Sequence, residues 1–269
     1  MLIQILTGLL LAAITSLAAY RFHSLTADGA IAATVLGTVV FGLGGWEWAV
    51  LLLTFFILSS AFTRAFRGRK IGAEEKYARG GARDAMQVFS NGGTAGLFVL
   101  LHAAYPAAGW PWIGYAGALA AVNADTWATE LGVLSRDQPR LITSLRTQVD
   151  RGTSGGVSLT GTLASLAAAL VIGLPAAWFA GQSQGWIAAS VALAGLIGSL
   201  IDSLLGATLQ AVYFCPRDQK ETEKHPLHGC GTPTIHIRGL QWINNDAVNV
   251  ACAITGAVMA LALGARLLF

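Results

Sequence analysis

Residues 123–132, "NADTWATELG", place Asn123, Asp125, Thr129 and Glu130 inside a run that is otherwise apolar. Asp202 has similar company in "GLIGSLIDSLLGATLQ" (195–210). Carboxylates are hard oxygen ligands, and magnesium characteristically takes one or two of them while nucleotide phosphates complete its shell. A charge at mid-bilayer costs at least about 2.5 kcal/mol, so such acids need either a function or well-placed basic partners. A third stretch, "RGTSGGVS" (151–158), sets Gly152, Thr153, Ser154, Gly155, Gly156 and Ser158 ahead of a helix start. Exposed N–H groups at such a terminus favour a phosphate, and Arg146 and Arg151 add charge upstream. The Gly-Lys-Ser/Thr ending of a Walker A loop is missing. Carboxylates, an anion-binding helix end and arginines together make the inventory for phosphoryl transfer, which is mostly positioning and charge neutralisation.

The elements that must hold these groups are membrane helices. The chain is 54% hydrophobic and 12% charged, which fits an all-α, polytopic helical bundle rather than a soluble domain. Spans are expected near 2–20, 28–44, 46–66, 88–105, 112–133, 155–178, 185–212 and 243–267, in one integral membrane domain covering 1–269. Fifteen of the 17 Lys and Arg fall in three loops, 64–87, 134–154 and 213–240. Two helices separate each loop from the next, so all three lie on one side, which the positive-inside rule makes cytoplasmic. Both termini are then outside. The first apolar run has no Lys or Arg before it, unlike a secretory signal, and reads as a retained helix. The small net charge of +3 and the lack of a basic tail give no sign of a nucleic-acid partner.

Depth then sorts the polar residues. Asp125, Glu130, Asp202, Asn91 and the "NNDAVN" at 244–249 all fall in the cytoplasmic halves or starts of their helices, and only Glu47 lies opposite. Helical spacing puts Asp125, Ala128, Thr129 and Gly132 on one face and Asn123, Thr126 and Glu130 on another. A helix polar on two sides must be surrounded by protein or water. "NGGTAG" (91–96) and "GTSGGVSLTG" (152–161) each open a hairpin whose returning helix carries an Asp before a glycine. This pattern reads as a weak internal duplication of a two-helix unit. Lys70, Lys76, Arg79 and Arg83 make the first basic loop chiefly a topology signal, with Arg83 near enough to Asn91 to reach a phosphate. His225, His228 and Cys230 in "HPLHGC", with Cys215 and His236, carry zinc-ligating atoms. Their spacing fits no strong zinc pattern, so zinc is the weaker reading. The three cysteines lack the paired spacing of a disulfide framework.

"SLTADGAIAATVLG", "LLLTFFILSSAFT", "NADTWATELG", "RGTSGGVSLTGTLAS", "GSLIDSLLGATLQ" and "NNDAVN" resemble, in this order and over nearly the whole chain, the family containing transmembrane protein 19 and plant phytyl-phosphate kinase. The resemblance implies a nucleotide-dependent kinase converting a polyprenyl or phytyl monophosphate to its diphosphate. A more distant likeness to CTP-using dolichol and phytol kinases rests on Asp125, Ala128 and Gly132, and favours CTP as the nucleoside triphosphate. On this reading Asp125 and Asp202 hold Mg²⁺, with Asn123, Glu130 and Asp246 in or beside its shell. Gly152 to Gly156, Ser158 and Arg146 bind nucleotide phosphates, and Arg83 and Asn91 hold the acceptor phosphate. The partners are the bilayer, an isoprenoid monophosphate and a nucleoside triphosphate. Two alternatives stay open: a CTP-dependent cytidylyltransferase acting on a lipid phosphate, and an ion-coupled transporter, whose polar site would sit nearer the midplane.

Overall fold

The computed structural model describes residues 2–66, 81–181 and 184–264. Lys70, Lys76 and Arg79 of the first basic loop lie outside these residues. Eight α-helices run through the described chain: α1 (Leu2–Arg21), α2 (Ala27–Val39), α3 (Trp46–Phe66), α4 (Ala85–Ala104), α5 (Trp110–Gly132), α6 (Leu159–Ala180), α7 (Gln184–Thr208) and α8 (Asn245–Gly264). A short π-helical turn, Val40–Gly44, extends α2 and stops at Gly45, whose φ of 94° glycine tolerates without strain. The helices fall where the apolar runs predict them. Six are long and apolar enough to cross a membrane; α4 and α5 fall outside that group.

Burial explains the more polar composition of α5. Every residue from Ile113 to Ala124 is buried, and α3, α4, α6, α7 and α8 all pack on the helix. It is the central helix of the bundle, so protein and not lipid meets its polar faces. Glycines set its closest crossing. A Cβ added to Gly117 would lie 2.5 Å from the Gly256 carbonyl oxygen, and one added to Gly256 would lie 2.4 Å from that of Gly117. The seam of α7 works in the same way: Gly195 meets the backbone of Ala120, and Gly198 meets Ala121. Small residues allow these backbone approaches, and dispersion across them holds the helices together.

The two ends of the bundle differ. At one end Trp48, Trp112 and Tyr115 form a ring cluster, and Phe179 packs edge-on to Trp46 and Trp112. At the other end the connections gather, and here the all-α expectation needs an addition. The 134–158 connection forms a small sheet, order β2-β1-β3, from β1 (Arg140–Leu141), β2 (Ser144–Gln148) and β3 (Gly156–Val157). The 209–244 connection forms a second, order β5-β4-β6, from β4 (Val212–Cys215), β5 (Lys220–Thr222) and β6 (Ile235–Arg238). All pairings in both sheets are antiparallel. Strands this short leave too little alternation for a period-2 pattern to register in sequence.

Candidate functional site: a polar cavity joined to an apolar groove

At the loop-bearing end, α4 to α8 enclose a polar cavity of about 330 Å³. Asp125 from α5 and Asp202 from α7 meet in it, their carboxyl groups within hydrogen-bonding reach of each other. Both side chains are half-buried, and two carboxyl groups in contact away from bulk water are stable as a pair only with a proton or a cation between them. Among the described residues Asp202 Oδ2 is buried and receives no hydrogen bond from a protein donor. That orphaned oxygen, beside a second carboxylate, suits a hard divalent ion. Asp246, buried in the first turn of α8, lines the same cavity. Glu130, five residues beyond Asp125, accepts a hydrogen bond from Thr63 Oγ1 at 2.8 Å. The 209–244 connection contributes Glu223, whose Oε1 accepts from Gln210 Nε2 at 2.7 Å, while Gln210 Oε1 accepts from Ser154 at 3.1 Å.

The glycine-rich loop borders the cavity from Gly152 to Ser158. Ser158 caps α6 by accepting from Gly161 N at 3.1 Å. Gly155, at φ 85°, lies so close to α7 that an added Cβ would stand 2.4 Å from Ala207 Cβ. Two N–H groups of the loop are committed internally, Thr153 to Asp150 O and Gly156 to Thr153 O. The loop therefore offers fewer free donors than its composition suggests.

Two expectations need correcting. Asn123 does not reach the cavity. It is fully buried on the other side of α5, where its Nδ2 donates to Ala168 O at 2.9 Å and its Oδ1 accepts from Ser59 at 3.2 Å. Two residues along a helix turn a side chain about 200°, so Asn123 and Asp125 cannot share a ligand shell. Arg146 is also absent: it lies on β2, exposed along its whole length, and does not line the cavity. Arg151 lines the wall instead, its Nη2 donating to the Ser135 carbonyl at 2.7 Å.

Arg83 is held from several sides. Its backbone pairs with the α1–α2 turn, N to Ser24 O and O from Thr26 N, both at 3.0 Å. Gly29 gives this pairing room, since an added Cβ would stand 2.1 Å from Arg83 O. The guanidinium donates to Ser60 at 3.0 Å and lies 5.8 and 5.7 Å from the centroids of Phe55 and Phe56. Asp84 then starts α4 with a capping box closed by Gln87, which fixes the direction of Gln87 and Asn91 behind it.

Those three residues also face a second space. An apolar groove of about 240 Å³ runs between α1, α2, α3 and α4, with Ala12, Leu36, Ala49 and Phe56 among its walls. Arg83, Gln87 and Asn91 line both it and the polar cavity. The sequence marks Arg83 and Asn91. Gln87 and Glu223 escape it, because one reads as a plain cap and the other as part of a solvated charge run, "KETEK".

The integral membrane protein DUF92 family matches residues 10–257. The chain belongs to this family. Its relatives include Protein PGR of Arabidopsis thaliana, 34% identical over 273 positions and covering 91% of each chain. An uncharacterized membrane protein of Methanocaldococcus jannaschii is 32% identical over 78% of this chain and 84% of its own length. Protein VTE6, chloroplastic, of Arabidopsis thaliana is 28% identical over 88% of this chain and 64% of its own. No solved structure matches. As a DUF92 member the chain is an integral membrane protein, in agreement with its apolar helices and central polar α5.

Proposed function

We propose that this DUF92 protein transfers the terminal phosphoryl group of a nucleoside triphosphate to an isoprenoid monophosphate, giving the diphosphate. One observation carries the reading: the polar cavity and the apolar groove share a wall made of Arg83, Gln87 and Asn91. A lipid phosphate needs that junction, with its chain among helices and its headgroup among donors. The motif resemblance to phytyl-phosphate kinase and the relationship to VTE6 support the same substrate class. The positive-inside bias assigns the cavity to the cytoplasmic face, where nucleotides are available.

Asp125 and Asp202, with Asp246 beside them, would hold Mg²⁺, which supplies charge neutralisation on the transferring phosphates. Arg83 and Asn91 orient the acceptor phosphate, and Arg151 with the 152–158 loop borders the nucleotide's phosphates. An acceptor oxygen bonds to the γ-phosphorus as its bond to the β–γ bridging oxygen breaks, and the nucleoside diphosphate leaves. The acceptor is already anionic near neutral pH, its second pKa being about 6. Alignment and charge screening therefore serve where an alcohol would need a base.

Acceptor competition tests this. Geranylgeranyl monophosphate should be phosphorylated and the free alcohol should not, by a margin of at least about 100-fold, the scale on which general-base catalysis acts. Ala49→Trp, which fills the groove, should raise KM for long prenyl monophosphates and leave a short-chain acceptor unaffected. Equal use of alcohol and monophosphate would remove the reading.

A further inference from the structure

Outside the cavity, the 209–244 connection brings together two thiols, an imidazole and a carboxylate. One ligand atom from each of Cys215, Asp218, His228 and Cys230 falls in a group spanning no more than 4.8 Å. The two sulfurs are 3.5 Å apart, His228 Nδ1 is 3.4 Å from Cys230 Sγ, and His228 Nδ1 is 2.9 Å from Asp218 Oδ2. Two sulfurs bound to one tetrahedral zinc at about 2.3 Å each would stand about 3.8 Å apart. A disulfide would hold them at about 2.05 Å. The sulfurs are therefore spaced for an ion between them and not for a bond between the thiols, and the His228–Asp218 hydrogen bond at 2.9 Å would open by a few tenths of an ångström to admit it.

We propose that these four side chains form a structural zinc site. The donor set, two soft sulfurs with a nitrogen and one oxygen, belongs to zinc rather than to magnesium or calcium. Four protein ligands close the tetrahedron and leave no position for a substrate. Cys215 and His228 are buried, while Asp218 stands at the solvent edge. The backbone is shaped around the set. Asp218 N reaches Cys215 Sγ at 3.5 Å, and Gln219 N closes a turn on Cys215 O at 2.9 Å. On the other side His228 N pairs with Thr232 O and Gly231 N with His228 O, both at 2.9 Å. These turns present Cys-x-x-Asp from the end of β4 and His-x-Cys from the loop before β6. The neighbouring histidines are engaged elsewhere: His225 stacks on Tyr213 at 4.5 Å and His236 meets the same ring edge-on at 5.4 Å.

The site fastens the ends of a segment that carries Glu223 into the cavity. Its role is to hold that segment, and the inference stands independently of the reaction proposed above.

Metal analysis of the full-length protein, purified in detergent with reductant and without chelator, tests the site with no nucleotide or lipid present. About one zinc per chain is expected, and X-ray absorption should find two sulfurs at about 2.3 Å and two lighter ligands at about 2.0–2.2 Å. Cobalt loaded in its place should give thiolate-to-cobalt charge transfer and tetrahedral d–d bands. Cys230→Ser should lose the zinc. Asp218→Ala, a change at the solvent edge, should weaken zinc retention against a chelator while the protein stays folded. His225→Ala should retain the metal fully. Metal-free wild-type protein, with its thiols either free or joined as a disulfide, overturns the proposal, as does zinc retained in both Cys230→Ser and Asp218→Ala.

Discussion

Asp125 and Asp202 meet from two helices at the floor of one cavity, and among the described residues Asp202 Oδ2 receives no hydrogen bond from a protein donor. A side chain placed there for stability alone would be better served by an apolar replacement. Asp125→Asn and Asp202→Asn should therefore each lower kcat by about 100-fold or more, the scale of losing one charge-stabilising group. Both variants should fold as the wild type does, on the evidence of size-exclusion profile and melting temperature. Asn123 should behave in the opposite way. It ties α3 and α6 to α5, so Asn123→Ala should lower stability by about 1 kcal/mol and leave the kcat of the folded fraction unchanged. A kcat loss at Asn123 matching that at Asp125 would contradict the assignment. The acids are legible in sequence because a charge in an apolar run is conspicuous. The choice between Arg146 and Arg151 is not, since Arg146 lies within β2 and Arg151 just after it, and which of them faces the cavity follows from the pairing of β1 with β2.

At the scale of elements, apolar length and basic loops set the helices, and the expected spans lie within a few residues of those observed. The two small sheets escape such reading, because they depend on turns that bring distant residues together. Of the Cys215, Asp218, His228 and Cys230 cluster, sequence marks both cysteines and His228 but not Asp218, nor that His225 and His236 stand outside it. Glycine is ambiguous in the same way: sequence shows where it occurs but not what it touches. Gly117 and Gly93 separate the cases. Gly117 lies at the α5–α8 crossing, whereas a Cβ on Gly93 would meet nothing within 4 Å. Gly117→Val should lower the unfolding midpoint in detergent, by an overpacking cost of about 1–3 kcal/mol. Gly93→Ala should be neutral or raise the midpoint, since alanine favours a helix by about 1 kcal/mol over glycine. A Gly117→Val protein as stable as the wild type would mean that α5 and α8 pack less closely than described.

The whole molecule is polarised. Trp46, Trp48, Trp112, Tyr115 and Phe179 cluster at one end, while the connections, the two sheets and the polar cavity occupy the other. The apolar groove runs among the first four helices and ends at Arg83, Gln87 and Asn91, where the cavity held by α4 to α8 begins. The division matches a reaction between a membrane lipid and a soluble nucleotide. It fits a carrier less well, because a transported solute needs a polar site that both sides can reach. The most direct measurement of this account follows a labelled γ-phosphate. Purified protein would be mixed with Mg²⁺, a nucleoside triphosphate labelled at that position, and geranylgeranyl monophosphate, and the lipid product would be weighed by mass spectrometry. The account predicts a lipid heavier by one phosphoryl group and carrying the label. A lipid heavier by a nucleoside monophosphate, with the label released in pyrophosphate, or a lipid left unchanged by folded protein, would contradict it.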